Sequence, residues 1–331
     1  MSSLPKSRLT LFDAEAPVAA AGFLDETPAL ALDAGAVLLI APAGRRRAAA
    51  HPGGTILASA AAGDQFITGG DDGRVAATSA KGELREIADE KGQWIDALAA
   101  RKDGAIAWSS GKTVRARDPA GRIRSFSAPS SVRGLAFMPK GYRLAIAHYG
   151  GASLWFPNAT VLPDRFEWKG SHLSISVSPD GRFLVTAMQE QALHAWRVED
   201  KKDMRMTGYP SKTHSLSWSF DSLWLATSGA GAGIIWPFKD KEGPAGRAPL
   251  ERGMRQAKVT CVAFHPKAHA LAQGYEDGAV VLCRIPDGSE LLVRAEPSPA
   301  GAITALAWDG PGNRLLFGAT DGAAGIFELA G

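Results

Sequence analysis

A short strand-like segment followed by a turn recurs along the chain at a nearly constant interval. Six copies of this segment contain an apolar residue at a matching position, at Phe23, Phe137, Val177, Trp218, Phe264 and Trp308. The last five of these residues are separated by 40, 41, 46 and 44 positions. Periods of about 20–50 residues are typical of chains in which each repeat is one small unit that stacks on its neighbours. The chain is therefore expected to fold as a series of such units.

Two further copies fill the gap between Phe23 and Phe137. Ala100 lies 37 positions before Phe137, and an Asp72-Gly73 turn joins two strand-like segments within residues 65–76. An Asp-Gly pair between alternating apolar segments is a strong hairpin signal. We therefore predict eight repeats in a single domain spanning residues 1–331, starting near residues 18, 55, 94, 131, 172, 212, 257 and 302. Seven units remain possible if the first repeat, or the weakly marked one around 55–87, is absorbed differently.

The repeats favour an all-β fold. Each has room for four short strands between Gly- and Asp-rich turns, and the apolar residues lack the period of a helix. Such units predict a β-propeller with one four-stranded blade per repeat. The last repeat supplies only three strands, whereas residues 8–12 form a strand-like segment ahead of the first repeat. We expect residues 8–12 to pair with the last blade as its outer strand, because that blade would otherwise expose an edge.

Several motifs resemble those of WD40 repeats: Ser178-Pro179-Asp180-Gly181, Asp72-Gly73, Asp277-Gly278, Asp321-Gly322 and the strand-ending Trp155, Trp196 and Trp236. The resemblance runs from about residue 18 to the end of the chain and implies a closed propeller. The aspartate of the family's terminal Trp-Asp pair is replaced in these repeats, for example by Arg197 and Pro237. The resemblance therefore implies that the family's His, Asp and Trp hydrogen-bond network is largely incomplete here. Stability must then depend mainly on apolar packing between sheets, to which six tryptophans should contribute: Trp108, Trp155, Trp196, Trp218, Trp236 and Trp308.

Composition excludes several classes of protein. The longest apolar run, residues 36–41, is far shorter than the roughly 18 residues that span a bilayer. The net charge is only +3, and the densest basic run, Arg45-Arg46-Arg47, lacks interleaved aromatic residues, so we expect no nucleic acid and no membrane partner. The N-terminal residues have no apolar signal segment, and two cysteines, Cys261 and Cys283, cannot form a disulfide framework or a four-cysteine zinc site. A cytoplasmic protein is expected, and the Ala- and Arg-rich composition suggests a bacterial one.

Motifs for catalysis are missing from the sequence. We find no metalloprotease, nucleophile-elbow or phosphate-loop pattern, and the glycine-rich residues 229–233 precede a strand instead of a helix. The seven histidines have no spacing typical of metal ligands. We therefore expect no cofactor, no metal and no catalytic residues.

The resemblance implies that the loops before each first strand, and the turns between second and third strands, surround one end of the channel. That end is the usual binding face of the family. Residues at these positions form our candidate partner-binding set: Trp94, Arg133, His148, Tyr149, His172, Glu190, His214 and Tyr275. Tyr, Trp and Arg dominate binding hot spots, although Trp94 could equally pack between blades.

Two functions follow as hypotheses. The first is a noncatalytic scaffold that binds a protein or peptide partner on this face, as a monomeric propeller within a larger complex. The second is a propeller hydrolase or lyase that uses polar channel residues such as His172, His214 and Arg133. Fold alone does not separate them, because propellers also host enzymes.

Overall fold

The computed structural model describes residues 7–297 and 301–329, and every regular element in these ranges is a β-strand. The strands of the first half are β1 (Arg8–Asp13), β2 (Val18–Leu24), β3 (Thr27–Leu32), β4 (Ala36–Ala41), β5 (Gly44–Ala48), β6 (Ile56–Ala62), β7 (Gln65–Gly70), β8 (Arg74–Ser79), β9 (Leu84–Asp89), β10 (Ala97–Ala100), β11 (Ile106–Ser110), β12 (Thr113–Arg117), β13 (Ile123–Ser127), β14 (Val132–Phe137) and β15 (Leu144–Trp155).

The strands of the second half are β16 (Asp164–Val177), β17 (Phe183–Met188), β18 (Leu193–Arg197), β19 (Asp203–Met206), β20 (Leu216–Trp218), β21 (Trp224–Thr227), β22 (Gly233–Pro237), β23 (Leu250–Arg252), β24 (Val259–Phe264), β25 (Ala270–Tyr275), β26 (Val280–Arg284), β27 (Glu290–Arg294), β28 (Ile303–Trp308), β29 (Arg314–Ala319) and β30 (Ala323–Glu328). No helix within the described ranges is long and apolar enough to cross a membrane.

The strands form antiparallel meanders, which confirms the predicted all-β propeller. Five sheets contain four consecutive strands each, namely β2–β5, β6–β9, β10–β13, β20–β23 and β24–β27. A sixth has the order β1-β30-β29-β28, and the seventh contains the six strands β14–β19. Short antiparallel connections of this kind need only tight turns.

The number of sheets differs from our favoured prediction: there are seven hydrogen-bonded sheets instead of eight. The cause is the 14-residue strand β16, which has no loop where we expected one repeat to end and the next to begin. Its first part, around Phe166, pairs with β15, and its second part, from His172, pairs with β17. One six-stranded sheet therefore holds strands from the repeats that start near residues 131 and 172. The first repeat and the weakly marked repeat around residues 55–87, whose absorption would have given seven units, keep sheets of their own, β2–β5 and β6–β9.

The first strand of the chain belongs to the same sheet as the last. β1 pairs antiparallel with β30 through six residue pairs that run from Arg8 with Glu328 to Asp13 with Ala323. The backbone N–H of Ala14 then donates to the carbonyl of Gly322 at 2.8 Å. β1 therefore covers the edge that β30 would otherwise leave unpaired.

Neighbouring sheets pack face to face, and this contact forms the core. Phe183 and Leu193 of one sheet pack with Leu225 of the next. Leu316 of β29 packs with Leu30 of β3, so the last sheet also contacts the first. Four of the six tryptophans predicted to lie in the core are buried, whereas Trp218 and Trp308 are partly buried. Each fully buried large apolar side chain contributes about 1.5–3 kcal/mol.

One buried polar network includes a histidine that precedes β6, the first strand of the sheet β6–β9. His51 is fully buried, its Nε2 lies 2.9 Å from Oγ1 of Thr68, and its Nδ1 lies 3.0 Å from Oδ1 of Asp72. A different set occupies a corresponding place in the sheet β20–β23. There, Trp236 Nε1 donates to the Tyr209 hydroxyl at 2.7 Å, and that hydroxyl lies 2.6 Å from Oγ1 of Thr227. Hydrogen bonds of this kind tie the segment before the first strand of a sheet to the following strands of that sheet.

Removal of residues 1–14 should leave the edge of β30 unpaired. We expect a lower melting temperature and concentration-dependent association, because an exposed edge pairs with other chains. Thermal unfolding and size-exclusion chromatography would measure both effects. Leu11→Ser is the control, since the Leu11 side chain is 58% exposed and the substitution leaves the backbone pairing in place. A monomeric truncated chain with an unchanged melting temperature would contradict this role of β1.

His51→Ala should destabilise the fold by about 1–3 kcal/mol, because it leaves the buried Thr68 hydroxyl without its imidazole partner. Urea unfolding monitored by tryptophan fluorescence would measure the change. His214→Ala is the matched control, since the side chain of His214 is exposed. Equal stability of the two variants would show that the His51 network contributes little.

Candidate functional site

We call the first strand of each repeat its inner strand. Six of the inner strands are irregular where they begin. The pairing register shifts near the start of β2, β6, β14, β24 and β28, and again in β16 between His172 and Ser174. Each shift leaves one extra residue, a β-bulge, which bends the strand and redirects a side chain. The extra residues are Ala19, Leu57, Arg133, Leu173, Thr260 and Thr304. These six strand starts therefore share one local geometry, whereas β10 and β20 begin without a register shift.

A cavity of about 690 Å³ lies at these bulged ends. Its lining comes from residues far apart in the chain, including Ala19, Gln191, His214, Thr260 and Thr304. Because these residues belong to different sheets, the cavity opens where the ends of several sheets meet. We refer to it as the mouth cavity.

Threonine hydroxyls join neighbouring inner strands beside the mouth cavity. Thr260 Oγ1 lies 2.9 Å from the carbonyl oxygen of Gly274 and 2.5 Å from that of Ile303 on the next inner strand. Thr304 Oγ1 similarly contacts the carbonyl of Val18 on the first inner strand. These hydroxyls donate to the protein itself, so their hydrogens are already used.

Five of the eight candidate binding residues have exposed side chains on the loops and strand ends of this face: Trp94, Arg133, Tyr149, Glu190 and His214. Trp94 is 62% exposed and Tyr149 is 57% exposed, and neither stacks on another described ring. Arg133 Nη1 lies 3.8 Å from Oδ1 of Asp96, which is a loose ion pair. His214 lines the mouth cavity. Trp94, which could also have packed between blades, is thus a surface residue.

The other three candidates lie inside the sheets. His172 is fully buried, with Nδ1 2.7 Å from Thr186 Oγ1 and Nε2 3.0 Å from the carbonyl of Trp168. His148 is 6% exposed and contacts the Tyr149 carbonyl and the Ser153 hydroxyl, both at 2.9 Å.

Tyr275 is also fully buried, and its hydroxyl donates to the carbonyl of Gly253 at 2.5 Å. Their positions along the chain suggested the binding face, but their side chains point into the sheets and hold the loops of that face.

Glu190 belongs to a recurring arrangement that the sequence analysis missed. Its Oε1 accepts the backbone N–H of Ser171 at 3.2 Å, across from the start of the inner strand. Carboxylates in the equivalent turns do the same: Asp71 accepts from Thr55, Glu276 from Lys258, and Asp321 from Gly301. The detectable signal was an acidic residue in each of these turns. Most carboxylates around the mouth thus hold backbone in place.

Lysines around the mouth cavity were also missed. Lys212 and Lys258 line it, together with Ser211 and Glu276. Neither lysine forms an ion pair within the described residues, whereas Lys91, Lys201 and Lys202 pair with carboxylates elsewhere. Isolated lysines carry little motif information in a sequence, so only the fold brings these two together.

Two further cavities flank the ring. One of about 490 Å³ is lined by Tyr149, Arg165 and Trp168, beside the long strand β16. The other, of about 650 Å³, is lined by the opposite ends of β6, β10 and β14, with Leu98 and Phe137 among its apolar residues. The exposed aromatic residue Tyr149 thus adjoins a recess on the predicted binding face.

A buried histidine lies behind the recess at Tyr149. His194 stacks on Trp168 with ring centroids 4.0 Å apart, and its Nε2 lies 3.2 Å from Oδ2 of Asp203. Burial lowers the pKa of His194 to about 4, although the negative charge of Asp203 acts to raise it. Burial also lowers the pKa values of His148 and His172. All three imidazoles are therefore neutral at neutral pH.

In the part of the chain that the structure describes, the side chains are not arranged to hold a metal ion or to activate a thiol. No group of three or more His, Cys, Asp or Glu side chains there could hold a metal ion. Cys261 and Cys283 are free and buried, and burial raises the pKa of each thiol to about 12. Both cysteines are consequently protonated side chains of the core.

Comparisons with known proteins support the fold. No protein-family profile matches the chain, and no curated protein matches its sequence. Among solved structures, the computationally designed protein Ika8 is similar, with a TM-score of 0.76 over 96% of this chain and 98% of its own. Its sequence identity to this chain is 18%. At this identity the similarity establishes the propeller fold alone.

The buried histidines predict a pH-dependent stability. Because their folded-state pKa values lie below 6.5, the unfolded chain binds more protons as the pH falls from 6.5 towards 4. The melting temperature should therefore be highest above about pH 7 and fall progressively over that interval. His194→Phe, which keeps a ring against Trp168, should flatten part of the decline. An unchanged pH profile in this variant would contradict the contribution of His194.

Proposed function

We propose that this chain is a WD40-like propeller that acts as a noncatalytic scaffold and binds a protein or peptide partner on the face around the mouth cavity. The observation that carries the proposal is the exposure of Trp94, Tyr149 and Arg133 on that face. Large aromatic side chains are usually largely buried in the core, and Trp, Tyr and Arg are enriched in binding hot spots. A rigid ring of sheets presents them with little conformational freedom to lose on binding.

The surroundings of these side chains support recognition of an extended surface. The face combines exposed aromatic residues with the recess at Tyr149 and the polar mouth cavity. Apolar anchors beside polar groups are typical of protein–protein interfaces. We further propose that the protein works in the cytoplasm as a single propeller within a larger complex. Two buried, unpaired cysteines accord with a reducing compartment.

The competing hypothesis of a hydrolase or lyase required His172, His214 and Arg133 to act together. Both ring nitrogens of His172 are engaged inside the sheet, at 2.7 and 3.0 Å from their partners. A general base must reach the proton that it abstracts, and the side chain of His172 is fully buried. The arrangement of these three residues therefore favours the scaffold over the enzyme.

Affinity capture from a lysate of the source organism would test the proposal. We expect one defined partner to bind the wild-type chain, and its recovery to fall at least about tenfold for the triple variant Trp94→Ala, Arg133→Ala, Tyr149→Ala, because hot-spot truncations each cost about 1–2 kcal/mol or more. The control is the triple variant Leu84→Ala, Ile123→Ala, Leu162→Ala, which removes exposed apolar side chains elsewhere.

The control should retain the partner. Circular dichroism and melting temperatures would establish that all variants fold. Equal loss in both triple variants would assign the interaction to general surface hydrophobicity, and equal recovery from both would show that the proposed face is not used. Either result would contradict the proposal.

A further inference from the structure

We propose that the mouth cavity binds a carboxylate-rich, acidic segment of a partner protein, with Lys212 and Lys258 as its cationic contacts. This inference rests on the proposed scaffold function and specifies the chemistry of the partner. The first observation is the charge balance of the cavity. Its lining contains two lysines and one carboxylate, that of Glu276, so it carries a net positive charge.

The lysines have no counterion within the described chain. Elsewhere within the described residues Lys91, Lys201 and Lys202 form ion pairs, and most other lysines do not. What distinguishes Lys212 and Lys258 is that both line the same cavity. Among the described residues of the lining, Glu276 is the only acidic one, and its Oε1 accepts the backbone N–H of Lys258 at 3.1 Å. This bond holds the turn in place and leaves the ammonium group of Lys258 without an ion-pair partner.

The free side-chain groups that line the cavity are mainly hydrogen-bond donors. They therefore favour a ligand that accepts hydrogen bonds. The hydroxyl of Ser211 donates to the carbonyl of Gly229 at 2.8 Å, and those of Thr260 and Thr304 donate to inner-strand carbonyls. The remaining side-chain donors are the two ammonium groups, the Gln191 amide and the His214 ring. A carboxylate accepts only, so it matches such a set, whereas a cationic ligand would leave these donors unused.

The placement of the two cations favours several separate carboxylates over a single phosphate. Lys212 precedes β20 and Lys258 precedes β24, so the two lysines that line the cavity come from different sheets. Two lysines act as separate point charges and can each meet one acidic side chain of an extended segment. A cavity of about 690 Å³ is large enough for such side chains to enter from the loop face.

The structure offers a direct test with synthetic peptides. The probe is a fluorescein-labelled peptide in which Glu alternates with Gly. Three comparison peptides replace Glu by Lys, by Ser or by phosphoserine. Fluorescence anisotropy would measure affinity at low and at physiological salt. We expect binding of the Glu peptide that weakens with salt, and no binding of the Lys or Ser peptides.

The double variant Lys212→Gln, Lys258→Gln should bind the Glu peptide at least about tenfold more weakly, because it removes both cationic contacts. Lys81→Gln, Lys140→Gln is the matched control: it makes the same change in net charge at exposed lysines outside the cavity and should bind like the wild type. Equal loss in both variants would reveal only general charge attraction and would overturn the proposal, as would tighter binding of the phosphoserine peptide.

Partner capture separates this inference from the proposed function. If the Lys212→Gln, Lys258→Gln variant recovers the partner as well as the wild type does, the acidic-segment inference is wrong and the scaffold function stands. If the Trp94, Arg133 and Tyr149 substitutions leave partner recovery unchanged, the proposed binding face fails. Reduced recovery with both sets of substitutions supports an acidic segment flanked by apolar anchors.

Discussion

Contact between the faces of neighbouring sheets is the constraint on which the rest of this structure depends. A small four-stranded sheet has two broad faces and cannot bury both by itself. In a ring, each sheet covers part of the next, as Leu225 does for Phe183, and the contact of Leu316 with Leu30 brings the last sheet against the first. β1 then completes the sheet of β28–β30. The loop face has a stable position because the whole ring supports it.

Repeats with little sequence in common reach the same architecture because geometry constrains them more than residue identity does. His51, Thr68 and Asp72 form one buried network, while Tyr209, Thr227 and Trp236 form another. Both satisfy polar groups that would be costly if buried alone. A degenerate pattern is therefore enough to specify a propeller, since apolar strands and tight turns recur even where the hydrogen-bonding residues change.

The fold could be predicted from periodicity, because strands at a spacing of about 40 residues leave few architectures. The number of sheets could not be predicted in the same way. It depends on whether residues 169–171 form a loop or continue a strand, and the repeat pattern contains no information on that local pairing. Exposure of Trp94 and Tyr149 agrees with positions inferred from the loops. His148, His172 and Tyr275 show the limit of that reasoning. A position near a strand end places a residue on the face, but successive side chains alternate, so His148 and Tyr275 are buried while the next residues, Tyr149 and Glu276, are exposed.

The distribution of charge on the loop face follows from the same constraint. Each bulged strand start leaves backbone N–H groups that need acceptors, and turn carboxylates such as Asp71, Glu190 and Asp321 supply them. Acidic residues on this face therefore serve the fold. Lysines have no comparable backbone role, because an ammonium group can only donate. The loop face thus offers mainly its cations and aromatic rings to a partner, and net charge alone conceals this asymmetry.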